Sequence, residues 1–324
     1  MAEQAPKRHH YVPRFLLRRF TDDPADEKKG RLVRLDKATG KPERASVLNE
    51  AVIGHYYTVM RETEDGRLVP DVSVERDLAN RETVAAVHVR RLVEPSGRLT
   101  AEERQQFAQF IHLSRQRTPL VRAWLRYSHD VVAEQWREVY GTEPTGLPDT
   151  PQEQELAMMF MSLEQVAARL DSFFTWTLLR VPAGAQFIVS DTPIAVIDLE
   201  LHAQLGRGYA SSPAAETTFP LDPALCLLLR PDVSGELPWV EREATRAEVD
   251  DINLRSYAWA QHSIYGNSQA AVSAVRSLAK ANSQRLGRYA PKSGKLWFGE
   301  ETDGGHVWDG FSATEAGVKA RVRR

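Results

Sequence analysis

From about residue 71 to residue 180 apolar side chains recur mostly at helical spacing, and on either side they fall into short strand-like runs. Strands, then helices, then strands predict an α+β chain with long central helices. Antiparallel β-hairpins are expected near the N-terminus and in the C-terminal half. Pro13 suits the first position of a short helix that carries Phe15, Leu16 and Phe20. Residues 31–36 and 42–47 flank Ala38-Thr39-Gly40-Lys41 as the arms of a hairpin, and a further strand is expected near His55–Met60. Asp71 or Ser73 opens a helix running to about Val93, and Thr100-x-x-Glu103 is a capping box. Pro119 breaks the next helix, because proline lacks the N–H and its ring crowds the preceding turn.

After a linker over 141–151, rich in glycine and proline, a third long helix is expected over 152–180. Phe187–Asp191 and Ile194–Asp198 read as strands around a Thr192-Pro193 turn, and Leu225–Arg230 as another strand. Helices are expected over 246–263 and 268–283. Residues 1–290 thus read as a single α+β domain. Residues 291–324 read as a C-terminal arm, docked or disordered, because Trp297, Phe298, Trp308 and Phe311 occur there without periodicity.

The net charge of −2 gives no bulk reason for nucleic-acid or membrane binding. No apolar run approaches the roughly 20 residues of a membrane helix, and MAEQAPKRHH has no apolar signal core. The single cysteine, Cys226, lies in an apolar run and reads as a core residue. A cytoplasmic location without membrane attachment is the expectation.

Four segments carry groups able to do chemistry. His9 and His10 lead straight into a helix start, where free N–H groups suit an anion, and imidazole binds metal or moves a proton. Arg8 and Arg14 add charge there; the bland alternative is a surface pair. Glu75 and Glu82 stand seven residues apart, on one side of a helix, either as a functional pair or as a salt-bridged edge. Phe107, Phe110, Ile111 and Ser114 share one face of the next helix. Arg115 and Arg117 follow just before Pro119, fitted to hold a carboxylate or phosphate, or to pair with Glu75 or Glu82. Asp191, in Ser190-Asp191-Thr192-Pro193, suits a metal ligand or base as well as an Asx-turn. Asn253 is equally ambiguous, and Tyr57 joins it as a substrate-binding candidate. The P-loop, dinucleotide, HExxH, CxxC and GxSxG signatures are absent.

His9-His10-Tyr11-Val12-Pro13-x-Phe15-x-Leu17-x-x-Phe20 resembles the opening of the family called domain of unknown function 4238. The resemblance continues, in order, at Glu75, Leu78 and Glu82, at Arg117-Thr118-Pro119, at Ser190–Pro193, at Phe219-Pro220-Leu221 and at Asn253. It covers roughly residues 7–285 and implies that these residues form a set, without implying what they do. His-His-x-x-Pro also resembles the core of HNH nucleases, but the helix follows at once and the preceding strand has no room.

The leading expectation is a metal-dependent phosphodiesterase or nuclease-like hydrolase. His9, His10 and Asp191 would hold a divalent metal ion, and Glu75 or Glu82 would assist. Arg115 and Arg117 would hold phosphate, with Arg14, Tyr57 and Asn253 also binding substrate, a nucleic acid or a phosphorylated small molecule. One alternative is a biosynthetic or oxidative metalloenzyme with the same site. The other is a non-catalytic interaction protein. On the catalytic readings the histidines, both glutamates and Asp191 converge in one cleft.

Overall fold

The computed structural model describes residues 7–26, 28–142, 150–161, 163–198, 214–232, 234–236, 239–291, 307–314 and 317–323. It is an α+β arrangement. The chain begins with β1 (Arg8–His10) and α1 (Arg14–Arg19). The hairpin β2 (Leu32–Asp36) and β3 (Pro42–Ala45), the short β4 (Val52–Gly54) and the hairpin β5 (Val59–Glu62) and β6 (Leu68–Asp71) follow. The helical centre comprises α2 (Ser73–Val93), α3 (Ala101–Gln116), α4 (Pro119–Tyr140), α5 (Pro151–Phe160) and α6 (Leu163–Ser172). Next come β7 (Phe174–Arg180), β8 (Val189–Ser190), β9 (Ala195–Asp198), β10 (Ala215–Asp222), β11 (Leu225–Pro231) and β12 (Trp239–Glu243). The chain continues through α7 (Arg246–Trp259), β13 (Ser263–Gly266), α8 (Gln269–Ala281), α9 (Ser283–Tyr289), β14 (Val307–Thr314) and β15 (Gly317–Arg323).

Local chemistry sets the helix ends. Glu103 N–H donates to Thr100 Oγ1 at 3.3 Å, and Thr100 N–H donates to Glu103 Oε2 at 2.9 Å, closing the capping box of α3. Pro119 occupies the first turn of α4, where its missing N–H costs nothing. Pro13 caps α1 rather than entering it.

The larger sheet has the order β12-β7-β11-β10-β9, antiparallel except for the β12–β7 pair. The second has the order β3-β2-β13-β8 and is antiparallel throughout. The core forms where α3 meets the larger sheet. Phe107 packs on Phe110, Trp176 and Phe219 with ring centroids 5.7, 6.2 and 6.4 Å apart. Burying each such side chain contributes about 1.5–3 kcal/mol. Cys226 is buried in β11.

Three expectations are corrected. The helix expected over 152–180 is two short helices and then β7. Thr175, Trp176 and Thr177 are strand formers, and β7 pairs with β11 along its whole length. The strands expected over Phe187–Asp191 and Ile194–Asp198 are shorter, Val189–Ser190 and Ala195–Asp198, and β8 joins the smaller sheet and β9 the larger, so the Thr192-Pro193 turn carries the chain between sheets. The strand near His55–Met60 starts later, at Val59. In the C-terminal arm β14 and β15 pair beside α4, whereas Trp297 and Phe298 lie outside the described residues. Among the described residues no helix is long and apolar enough to cross a membrane.

Candidate functional site

β1 pairs with β4, His9 facing Ile53 and His10 facing Val52 in the register. Neighbouring residues of a strand point to opposite faces, so the two imidazoles part. His9 turns inward and is 3% exposed. Its Nδ1 accepts the Tyr57 backbone N–H at 2.8 Å, and the two rings stack with centroids 5.3 Å apart. An amide N–H only donates, so Nδ1 carries the lone pair and the ring hydrogen sits on Nε2. That nitrogen faces Glu75 Oε2 at 3.1 Å.

Glu75 lies in the first turn of α2, where the helix dipole favours a carboxylate. Glu82, two turns on, accepts Arg117 Nη1 at 2.6 Å. Arg117 caps α3 and is 1% exposed. The Tyr57 hydroxyl donates to the His10 carbonyl at 3.2 Å and lies beside the Arg117 guanidinium. One residue therefore braces both carboxylates: Tyr57 holds His9 through its backbone and approaches Arg117 through its hydroxyl.

The accessible groups of this set are the carboxylates, with the Glu75 and Glu82 side chains 27% and 26% exposed. Burial raises the Glu75 carboxyl; His9 pulls it back and Glu82 pushes it up again. Burial pushes the Tyr57 hydroxyl up to about 12. His10, on the other face, is brought down to about 4 by burial. The Val47 carbonyl opposes that shift, and Arg14, Arg8 and Arg117 add to it.

His10 Nε2 lies 3.2 Å from the Val47 carbonyl, which fastens the loop before β4. Asp191 is buried, and its two oxygens accept the backbone N–H groups of Gln261, His262 and Ser263 at 2.7, 2.6 and 3.0 Å. It ties the end of α7 to β13. Asn253 accepts the Ile188 N–H at 3.0 Å and donates to the Gln186 carbonyl at 2.9 Å, so its amide clamps the segment entering β8. Arg115 is buried in α3, and Arg14 is exposed at the start of α1.

The ligand set His9, His10 and Asp191 is not assembled for a metal ion. Among the described residues no group of three or more His, Cys, Asp or Glu is so arranged. His9 gives a specific reason. A ligating imidazole offers the metal one lone pair and donates its other N–H to an acceptor. His9 spends its lone pair on an amide and turns its N–H to Glu75.

A buried ion pair behind Tyr57 escaped the sequence reading. Arg122 donates to Glu155 Oε2 at 2.6 and 3.0 Å and to the Tyr56 carbonyl at 2.8 Å, with its guanidinium 4.0 Å from the Tyr56 ring centre. The one signal for it was Glu155 standing beside Leu156 on an apolar helix face.

No curated protein and no solved structure matches the chain. The model of the family described as "Protein of unknown function (DUF4238)" matches residues 8–270, most of the chain, and the protein belongs to that family.

Proposed function

We propose that the protein is a hydrolase in which Glu75 moves the proton and His9 holds it in place. The observation that carries this reading is the His9–Glu75 contact. A partly exposed carboxyl, raised by burial, is fixed from behind by a buried imidazole whose hydrogen faces it. A raised carboxyl near working pH is what general base and general acid catalysis use. Glu82 raises Glu75 further and is itself anchored by Arg117. Tyr57 fixes the distance between the two halves.

A phosphodiesterase has less support. Arg117 is buried and already neutralised by Glu82, and the accessible groups are carboxylates, which repel phosphate. The His9 lone pair is taken by the Tyr57 amide and does not point at a metal ion.

The test is hydrolysis of chromogenic carboxylic esters, anilides, glycosides and phosphate esters by the wild type and Glu75→Gln. Gln keeps the acceptor for His9 and loses the titrating group. The expected result is a loss of about 10²-fold or more in kcat. Turnover that survives the substitution unchanged would falsify the assignment.

A further inference from the structure

α8 ends and α9 begins at Asn282, whose Nδ2 donates to the Leu278 carbonyl at 2.9 Å and so meets one of the last carbonyls of α8. Beside this break lies a cavity of about 600 Å³. Asn282, Ser283, Gln284, Arg285 and Arg288 line it, with Asp198 from the end of β9. Small-molecule sites span about 300–1,000 Å³ and are mostly apolar. This one has the size of such a site and an unusually polar wall, which suits a ligand rich in hydrogen-bonding groups.

A chain of ion pairs leads from the larger sheet to that wall. Arg230 meets Glu216, Arg255 meets both Glu216 and Asp251, and Asp251 meets Arg285 at 2.6 Å. Tyr289 donates to Asp251 and accepts Arg285 Nε at 2.9 Å. The Arg285 guanidinium is thus held in place before any ligand arrives, which lowers the ordering cost of binding. With Nε and Nη2 engaged, its Nη1 meets no acceptor among the described residues. Arg288, one turn on along the same face of α9, meets no acceptor among them with any of its nitrogens.

Charge narrows the choice of ligand. The chain of pairs holds three guanidiniums against two carboxylates, Arg288 adds one positive charge, and the buried Asp198 offsets it. One positive charge remains. A singly charged anion neutralises it, whereas a phosphate dianion overshoots and is opposed by Asp198. Free guanidinium N–H groups suit a carboxylate, and the Ser283 hydroxyl and Gln284 amide can exchange hydrogen bonds with hydroxyl groups.

We propose that this cavity binds a small hydroxylated monocarboxylate, a sugar acid by chemistry, with its carboxylate on Arg285 Nη1 and Arg288 and its hydroxyls on Ser283 and Gln284. The cavity shares no residue with the Glu75 set, and the proposal goes beyond the hydrolase reading without resting on it.

The experiment titrates the full chain with D-glucuronate, D-galacturonate, D-gluconate, D-glucose and D-glucose 6-phosphate at one ionic strength, by calorimetry and by the shift in melting temperature. Wild type and Arg288→Gln are compared. Arg288 has no partner to lose among the described residues, so the variant should fold as wild type does, and its own thermal transition checks this. At least one of the three acids is expected to bind saturably at one site and to raise the melting temperature. Arg288→Gln should weaken that binding roughly tenfold or more. Acid binding that is equal in wild type and Arg288→Gln overturns the site. Glucose binding as tightly as the acids overturns the role of the carboxylate. Tighter binding of glucose 6-phosphate overturns the choice of a monoanion, and saturable binding by none of the acids overturns the proposal outright.

Discussion

Tyr57 and His9 meet twice, through the amide-to-Nδ1 hydrogen bond of 2.8 Å and through stacked rings at an interplanar angle of 8°. The bond sets the ring tautomer, and the stack sets the ring plane. Replacing His9 with Phe preserves the stack and orphans the Tyr57 N–H. It should cost about 1–3 kcal/mol of stability and abolish the orientation of Glu75. Urea midpoints measure the first effect and kcat the second. A variant with wild-type kcat would show that Glu75 does not depend on His9.

The Glu75 carboxyl is raised in the folded protein, so folding favours its protonated form. The stability this gives is complete below the ordinary carboxyl value of 4.5 and is lost as pH rises through the folded value. Glu75→Gln should therefore melt higher than wild type near neutral pH. The gap should close as the pH falls toward 4.5. Calorimetry across that range decides; a gap that widens on acidification has the wrong sign.

His10 acts in the opposite sense. Its imidazole falls from 6.5 to about 4 on folding, so between those values the unfolded chain binds a proton that the folded one resists. Stability from this source is present above 6.5 and drains away as pH falls to about 4. His10→Asn should flatten the acid limb of the stability profile and leave the neutral plateau nearly level.

Asp191 and Asn253 hold backbone, so their substitution should cost stability rather than chemistry. Asp191→Ala strands three amides and should lose about 3 kcal/mol or more. Asn253→Ala should lose about 1–3 kcal/mol. Below their melting temperatures both should retain the wild-type kcat. A selective fall in kcat for Asp191→Ala with an unchanged melting temperature would return that carboxylate to the reaction.

Arg122→Met leaves Glu155 buried beside the exposed Arg126, with its buried cation gone. It should cost about 3–5 kcal/mol. Combined with Glu155→Leu, the loss should be smaller than for Arg122→Met alone. Two purely additive losses would mean the pair is not coupled.

Local interactions account for what was legible in the sequence. Thr100 and Glu103 close their cap within one turn, and Pro119 acts on its own helix. Glu75, Glu82 and Arg117 were grouped correctly because helix spacing and a proline position place them. β7 was misread because Leu163, Ala167, Leu170, Phe174 and Leu178 keep helical spacing across the change from α6 to β7; pairing with β11 overrides it. The partners of Asp191 were not legible because they are amides about 70 residues away. The decisive role of Tyr57 rests on a backbone N–H, which no residue type announces.

β1 is three residues long and has one neighbour, β4, with the Tyr11-to-Ala51 and His55-to-Lys7 backbone bonds at its two ends. A one-residue slip of a strand turns every side chain to the opposite face. Here such a slip would bring His10 to the side that faces α2. The histidine doublet thus makes the inner imidazole degenerate with respect to register: the error that would ordinarily erase a site replaces the residue with its own kind.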